Sequence, residues 1–171
     1  MAQHNKYFDF CMKWEGGYGV DHAGGTKHGV TIGTWRLMGE NPDRDYDGDI
    51  DNDDVKLISL DDARKINKRF WDKCKGDYIN NQAVANAIVD WYWNSGITGI
   101  KRVQRVLGVK PDGIFGMNTL AATNGMDAHK LFEQITSAHR QFYTDLVKSS
   151  PEKYKKFLKG WLNRLNALKF E

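Results

Sequence analysis

Trp14-Glu15-Gly16-Gly17-Tyr18, with Gly24-Gly25-Thr26-Lys27-His28-Gly29-Val30-Thr31 close behind it, marks where an apolar helical pattern gives way to glycine. Upstream, Tyr7, Phe8, Cys11 and Trp14 recur at helical spacing and predict an amphipathic helix over residues 5–15. Gly16-Gly17 end it, because glycine most easily adopts the conformation that follows a helix C-terminus. Glu15 is then the last helical residue, at the negative end of the helix dipole and beside aromatic side chains. Both surroundings disfavour an ionised carboxyl, which is what a general acid working near neutrality needs. The two glycines carry no side chain that would keep a bulky polymer from that carboxyl. Residues 17–33, rich in Gly, Thr and Val, read as turns with short strands, and 34–39 as a short helix.

Farther along, Ser59 reads as a helix N-cap with Asp62 three residues on. Ala63, Ile66, Phe70 and Cys74 line one face of the helix it opens. Ala83, Val84, Ala87, Ile88 and Trp91 line a second, which stops at Asn94-Ser95-Gly96, and Ile100, Val103 and Leu107 a third. Pro111-Asp112-Gly113 is a turn. A long helix over 127–148 carries Leu131, Ile135, Phe142 and Leu146 inward. Ser150-Pro151 sets a proline at the start of a last helix, with Tyr154, Phe157, Leu158, Trp161 and Leu165. The fold class is mainly α with a small β element.

Between these segments lies Asp43-Arg44-Asp45-Tyr46-Asp47-Gly48-Asp49-Ile50-Asp51-Asn52-Asp53-Asp54. Its carboxylates stand at positions 1, 3, 5, 9 and 12 of an EF-hand calcium loop, with glycine at 6 for the sharp turn. So many like charges in one loop repel each other unless a cation is present. The expected ligands of a structural Ca²⁺ are Asp43, Asp45, Asp47, the Asp49 carbonyl, Asp51 (directly or through water) and Asp54. The last position is a Glu in most EF-hands, but calcium loops of the dockerin kind also end in Asp.

The formal net charge of +3 is mild, and apart from the acidic loop the charges alternate in sign along most of the chain. It favours approach to an anionic wall or membrane surface but not nucleic acid, which calls for a clustered basic stripe. No phosphate-cradling glycine loop or His/Cys metal cluster appears, so no organic cofactor is expected. No run of 18 apolar residues exists, hence no membrane span, and the polar N-terminus shows no secretory signal. Cys11 and Cys74 both sit in apolar helical patterns and read foremost as buried thiols, with a disulfide as the alternative if their two helices touch.

The Glu15–Tyr18 and Gly24–Thr31 stretches, with Phe70-Trp71, Ala87-Ile88-Val89-Asp90 and Asn94-Ser95-Gly96, resemble glycoside hydrolase family 108. That resemblance implies a lysozyme-like fold and an N-acetylmuramidase of phage or bacterial origin. It implies bacterial peptidoglycan as substrate and Glu15 as the catalytic acid. Glycoside hydrolysis divides its work between two groups. Here the second is Asp21, or Asp90 as the weaker carboxylate, while Thr31 or Thr26 could instead position the water. Asp90, beside Trp91 on a buried helix, reads foremost as a hydrogen-bonded core aspartate. Tyr18, His28 and Asn94, within the same motifs, are the expected substrate-binding residues.

Val103-Gln104-Arg105-Val106-Leu107-Gly108, Asp112-Gly113-Ile114-Phe115-Gly116 and Gly160-Trp161 resemble small peptidoglycan-binding modules. The expected layout is a lysozyme-like domain over 1–96 and a wall-binding helical segment over 97–171. The whole reading is a monomeric endolysin-type enzyme of prophage kind, made in the cytoplasm and reaching the wall by a holin or another route. A lytic transglycosylase, or a non-catalytic wall-binding or secretion-associated module on the same fold, stays open.

Overall fold

A computed structural model of the chain describes residues 1–21 and 24–170; the spacer residues His22 and Ala23 lie outside it. The described residues divide into two compact units, His4–Arg69 and Met1–Gln3 with Phe70–Glu171. Together they are mainly α-helical with one small antiparallel sheet.

In the unit His4–Arg69, α1 (His4–Met12) buries Tyr7, Phe8 and Cys11, the stripe its sequence periodicity indicates. The helix ends earlier than expected. Lys13 N–H donates to Phe10 O and Trp14 N–H to Cys11 O, so the last turn tightens to i−3 bonding. Trp14 is thereby turned outward, and Glu15 stands beyond the helix rather than as its last residue.

The chain then forms β1 (Gly19–Asp21), β2 (Gly24–Lys27) and β3 (Val30–Thr31), an antiparallel sheet in the order β1-β2-β3. Gly19 pairs with Thr26, Asp21 with Gly24, and Thr26 with Thr31. Two features demand glycine at the start of β2. Gly24 has φ +109°, and a Cβ there would lie 2.7 Å from Ile32 Cγ2. At Gly25 a Cβ would meet Asn52 Oδ1 at 2.8 Å.

Thr31 caps α2 (Ile32–Met38), its hydroxyl accepting from Thr34 N–H, which starts this helix two residues before the expected one. Trp35 of α2 is wholly buried and donates from Nε1 to Pro42 O at 2.8 Å. The acidic loop leads into a short helix that its composition hid, α3 (Asn52–Lys56). The next helix, α4 (Leu60–Lys73), opens with the expected reciprocal cap: Ser59 N–H donates to Asp62 Oδ2 and Asp62 N–H to Ser59 Oγ.

In the other unit, α5 (Gln82–Ser95) buries Ala83, Val84, Ala87, Ile88 and Trp91. It packs on α6 (Ile97–Val106) and on the long α8 (Ala128–Ser149), which in turn packs on α9 (Pro151–Ala167). The Asp112-Gly113 turn is organised by buried Gln104. Its Nε2 donates to Asp112 Oδ1 at 2.8 Å, and its Oε1 accepts from Gly113 N–H at 2.8 Å. A further helix, α7 (Met117–Gly125), escapes sequence periodicity because its buried residues are Thr119, Leu120 and Thr123 rather than an apolar stripe. Both Cys11 and Cys74 are buried free thiols. Among the described residues no helix is long and apolar enough to cross a membrane.

α5 and α9 are joined by a buried ion pair. Arg164 donates to Asp90 Oδ1 from its terminal nitrogen at 2.7 Å and from Nε at 3.1 Å. Asp90 is therefore the hydrogen-bonded core aspartate that its place beside Trp91 suggested. His139 of α8 lies stacked on Trp91, with ring centroids 4.3 Å apart and planes at 12°. Neither of its ring nitrogens finds a hydrogen-bond partner among the described residues. Burial first, and the Arg164 charge second, lower the His139 pKa from 6.5 to about 3. Between those two values the unfolded chain binds a proton that the folded chain does not, so stability falls as pH drops from 6.5 towards 3. Melting temperatures across this range should decline more steeply for the parent chain than for His139→Phe, whose ring keeps the stack without a titrating nitrogen. Equal slopes would remove His139 as the cause.

Candidate active site and acidic loop

Glu15 is half-buried in the segment between α1 and β1. Its Oε1 lies 3.7 Å from the Cys11 thiol, which is placed to donate to it. Cys11 Sγ in turn accepts from Asn67 Nδ2 at 3.7 Å, and Asn67 Oδ1 bonds His4 Nε2 at 3.0 Å. A buried polar chain thus runs from α1 through α4 to the carboxyl. Asn67 was legible only as a polar residue on the apolar face of Ala63, Ile66 and Phe70; nothing local links it to Glu15.

Gly16 and Gly17, which follow Glu15, are both exposed. A Cβ on Gly16 or on Gly17 would meet no atom within 4 Å. The loop is tied to the β2–β3 turn by His28 N–H donating to Gly16 O at 3.3 Å. His28 adopts φ +51° to make that turn, and burial, then the Lys27 charge, lower its pKa. Tyr18 is partly exposed, with the Lys56 ammonium 5.5 Å from its ring centre.

The structure therefore gathers Glu15, Tyr18 and His28 around one glycine-lined loop, and sets Thr26 and Thr31 opposite each other across β2 and β3. Asp21 is exposed at the end of β1. Thr31 already bonds Thr34, accepting from its N–H at 3.2 Å and sharing a hydroxyl–hydroxyl contact at 3.1 Å. Asn94 lies in the other unit, where its Nδ2 donates to Asp90 O at 2.7 Å and to Asp90 Oδ2 at 3.2 Å.

The acidic loop takes the turn its register calls for. Gly48 has φ +97°, and its N–H donates to Asp43 Oδ2 at 3.2 Å. Ligand-type oxygens of Asp43, Asp45 and Asp47 come within 4.8 Å of one another, and so do those of Asp49, Asp51 and Asp54. Reduced hydration and the charges of Asp47, Asp54 and Asp43 hold the Asp45 carboxyl above its ordinary pKa. For Asp49 the Asp47 charge is the first cause. Asp54 behaves oppositely: burial opposes its ionisation, but N–H donors led by Arg44 and Asp51 outweigh it and hold the pKa low. Asp43 Oδ1 is buried and has no hydrogen-bond partner among the described residues.

Several bonds fasten this loop to its surroundings, and one of them reaches the sheet. Asn52, at the start of α3, accepts from Gly25 N–H at 2.7 Å. Arg36 donates to Ile50 O, and Arg44 bonds Asp54 and Asp62 while resting over Trp35. Composition flagged the carboxylates but not Asn52 and Arg44, whose partners are distant in sequence.

The profile of glycosyl hydrolase 108 matches residues 8–96, a little over half the chain, and one described as "Predicted Peptidoglycan domain" matches residues 98–166. No curated protein sequence matches. Among solved structures the chain is similar to SagA of Brucella abortus, with a TM-score of 0.79 and 26% identity over 96% of this chain and 90% of that one. The expected resemblance, the mainly helical lysozyme-like fold and the action on peptidoglycan all agree with these matches. The chain belongs to glycosyl hydrolase family 108 and is a lysozyme-like glycoside hydrolase that acts on peptidoglycan.

Proposed function

We propose that the enzyme is an N-acetylmuramidase, cleaving the β-1,4 bond between N-acetylmuramic acid and N-acetylglucosamine with Glu15 as general acid, and that its acidic loop holds one structural Ca²⁺. The observation that carries the first part is the half-buried Glu15 carboxyl beside the Cys11 thiol, followed at once by two exposed glycines. A glycan strand can reach such a carboxyl, and the buried chain behind it holds its orientation. Glu15 protonates the glycosidic oxygen as the bond breaks. Asp21, exposed at the end of β1, is the carboxylate that assists water on the other face. Thr31, occupied by its cap, is the weaker candidate for that role. Tyr18, His28 and Asn94 contact substrate. On this reading residues 1–96 carry catalysis and 97–171 carry wall binding. The protein is a monomeric endolysin of prophage kind, made in the cytoplasm and released to the wall by a holin or another route.

The test is wall clearing by Glu15→Gln together with product analysis of the parent enzyme. A reducing muramic acid end supports hydrolysis; an anhydro ring would make the enzyme a lytic transglycosylase. The cleavage requires no organic cofactor.

Calcium suits the loop on two counts. Its donors are all carboxylate or carbonyl oxygens, the set a hard cation prefers. The buried Asp43 Oδ1 and the mutual repulsion at Asp45 and Asp49 both call for positive charge. Bound there by Asp43, Asp45, Asp47, the Asp49 carbonyl, Asp51 and Asp54, the ion would neutralise the loop and steady α3. Through Asn52 and Gly25 that steadies the hairpin. Saturation at a hundredfold excess over Kd adds about 2.7 kcal/mol. Chelation should therefore lower the melting temperature by on the order of 5–10 °C, and Asp47→Ala should abolish that shift. Absence of binding heat at millimolar Ca²⁺, with melting indifferent to chelator, would leave a merely solvated acidic loop.

A further inference from the structure

The unit that contains α5 to α9 carries a cavity of about 340 Å³. Asn94, Ser95 and Thr98, at the junction of α5 and α6, line one wall; Tyr143, Tyr154 and Trp161, from α8 and α9, line the other. The aromatic wall is stacked in depth. Trp161 lies against buried Tyr143 with centroids 4.8 Å apart and planes at 23°. Phe157 also stacks on Trp161, at 5.7 Å, and is 45% exposed, so the linked rings reach from core to solvent. Among the described residues no charged side chain lines the cavity.

The polar wall is held as firmly. Asn94 Nδ2 is committed to Asp90, which Arg164 clamps in turn. The amide group is thus fixed, and its oxygen remains as an acceptor. An aromatic surface lining the same cavity as a fixed amide and two hydroxyl-bearing side chains suits a pyranose ring, whose C–H face is apolar and whose rim bears hydroxyls. The lack of lining charge favours a neutral sugar over an acidic one. Outside the cavity, the ammonium groups of Lys153 and Lys156 lie 5.0 Å from the ring centres of Tyr154 and Phe157. They offer counter-charge to peptide-stem carboxylates flanking that sugar.

We propose that this cavity is a second glycan contact, which binds a neutral N-acetylglucosamine-type unit of the peptidoglycan strand. The inference rests on the peptidoglycan reading but not on Glu15 being the catalytic acid. Its occupied side chains come from both matched regions, Asn94 and Ser95 from 8–96 and the others from 98–166.

The test uses the full chain carrying Glu15→Gln, titrated with tetra-N-acetylchitotetraose and followed by calorimetry and amide and indole NMR. Signals of Asn94, Thr98 and Trp161 should shift. Trp161→Ala should weaken binding about tenfold or more. Thr98→Arg, at an exposed lining position that the core does not use, should do the same by filling the cavity, and it decides the matter if Trp161→Ala fails to fold. Shifts confined to residues 15–31, or affinity unchanged in Thr98→Arg, would overturn the site. A parent chain that lyses no walls while Trp161 still shifts supports the site and refutes the cleavage reading. Normal lysis with no shift at the cavity overturns the site alone.

Discussion

Purified Glu15→Gln should clear cell walls about 10²-fold more slowly than the parent chain, or worse, while keeping its fold. The carboxamide preserves the shape of the carboxyl, and its oxygen can still receive the Cys11 thiol, 3.7 Å from Oε1 in the parent. What it loses is a proton that can be handed to the leaving oxygen. Glu15 lies past the end of α1 and is only half-buried, so the exchange touches no helical backbone bond. Turbidity clearing, with circular dichroism on the same samples, reads both halves of the prediction. A normal rate from a folded Glu15→Gln chain would remove this residue from catalysis. If the parent chain binds walls without lysing them, the protein is a binding module on a lysozyme-like fold.

The largest effect on stability should come from the buried pair. Arg164→Met leaves the Asp90 carboxylate, 1% exposed, without its cation, at a cost of about 3–5 kcal/mol. The Asn94 amide still reaches Asp90, but one neutral donor cannot replace a two-point guanidinium contact. Asp90→Leu combined with Arg164→Met removes both charges, and much of the lost stability should return. Denaturant melts of the two single variants and the double variant give the coupling directly. If the double variant loses as much as the two single variants together, the pair is not coupled. A loss of under about 1 kcal/mol for either single variant would put the pair at the level of a surface bridge.

The two effects differ in how visible they were beforehand. Glu15 stands out because its neighbours are informative: an apolar stripe on one side, glycines on the other. The acidic register from Asp43 to Asp54 stands out for the same reason, since calcium loops are short and periodic. Arg164 did not stand out. It lies 74 residues from Asp90, among lysines on an amphipathic helix, and nothing beside it says that its side chain turns inward.

Most helices were legible too. The Ser59–Asp62 cap, the proline that opens α9 and the apolar spacing of α5 and α8 are all properties of neighbouring residues. The differences have physical causes. α1 is shorter than its apolar spacing indicates, because Trp14 keeps helical spacing even where the last turn tightens and turns it outward. α3 leaves no readable stripe because its five residues lie at the end of an acidic run, and α7 leaves none because threonines fill its buried face.

By itself, then, the sequence determined what depends on spacing along the chain: the helical class, the small sheet, the carboxyl beside its glycines and the order of the acidic residues. Only the tertiary structure decided which distant side chains complete them. It set Asn67 behind Cys11 and Glu15, Asn52 against Gly25, Arg164 on Asp90, and Trp161 across from Asn94 and Thr98. Such pairings follow from how whole faces bury against each other, and a polar residue on a helix looks the same in sequence whether that face meets water or a partner.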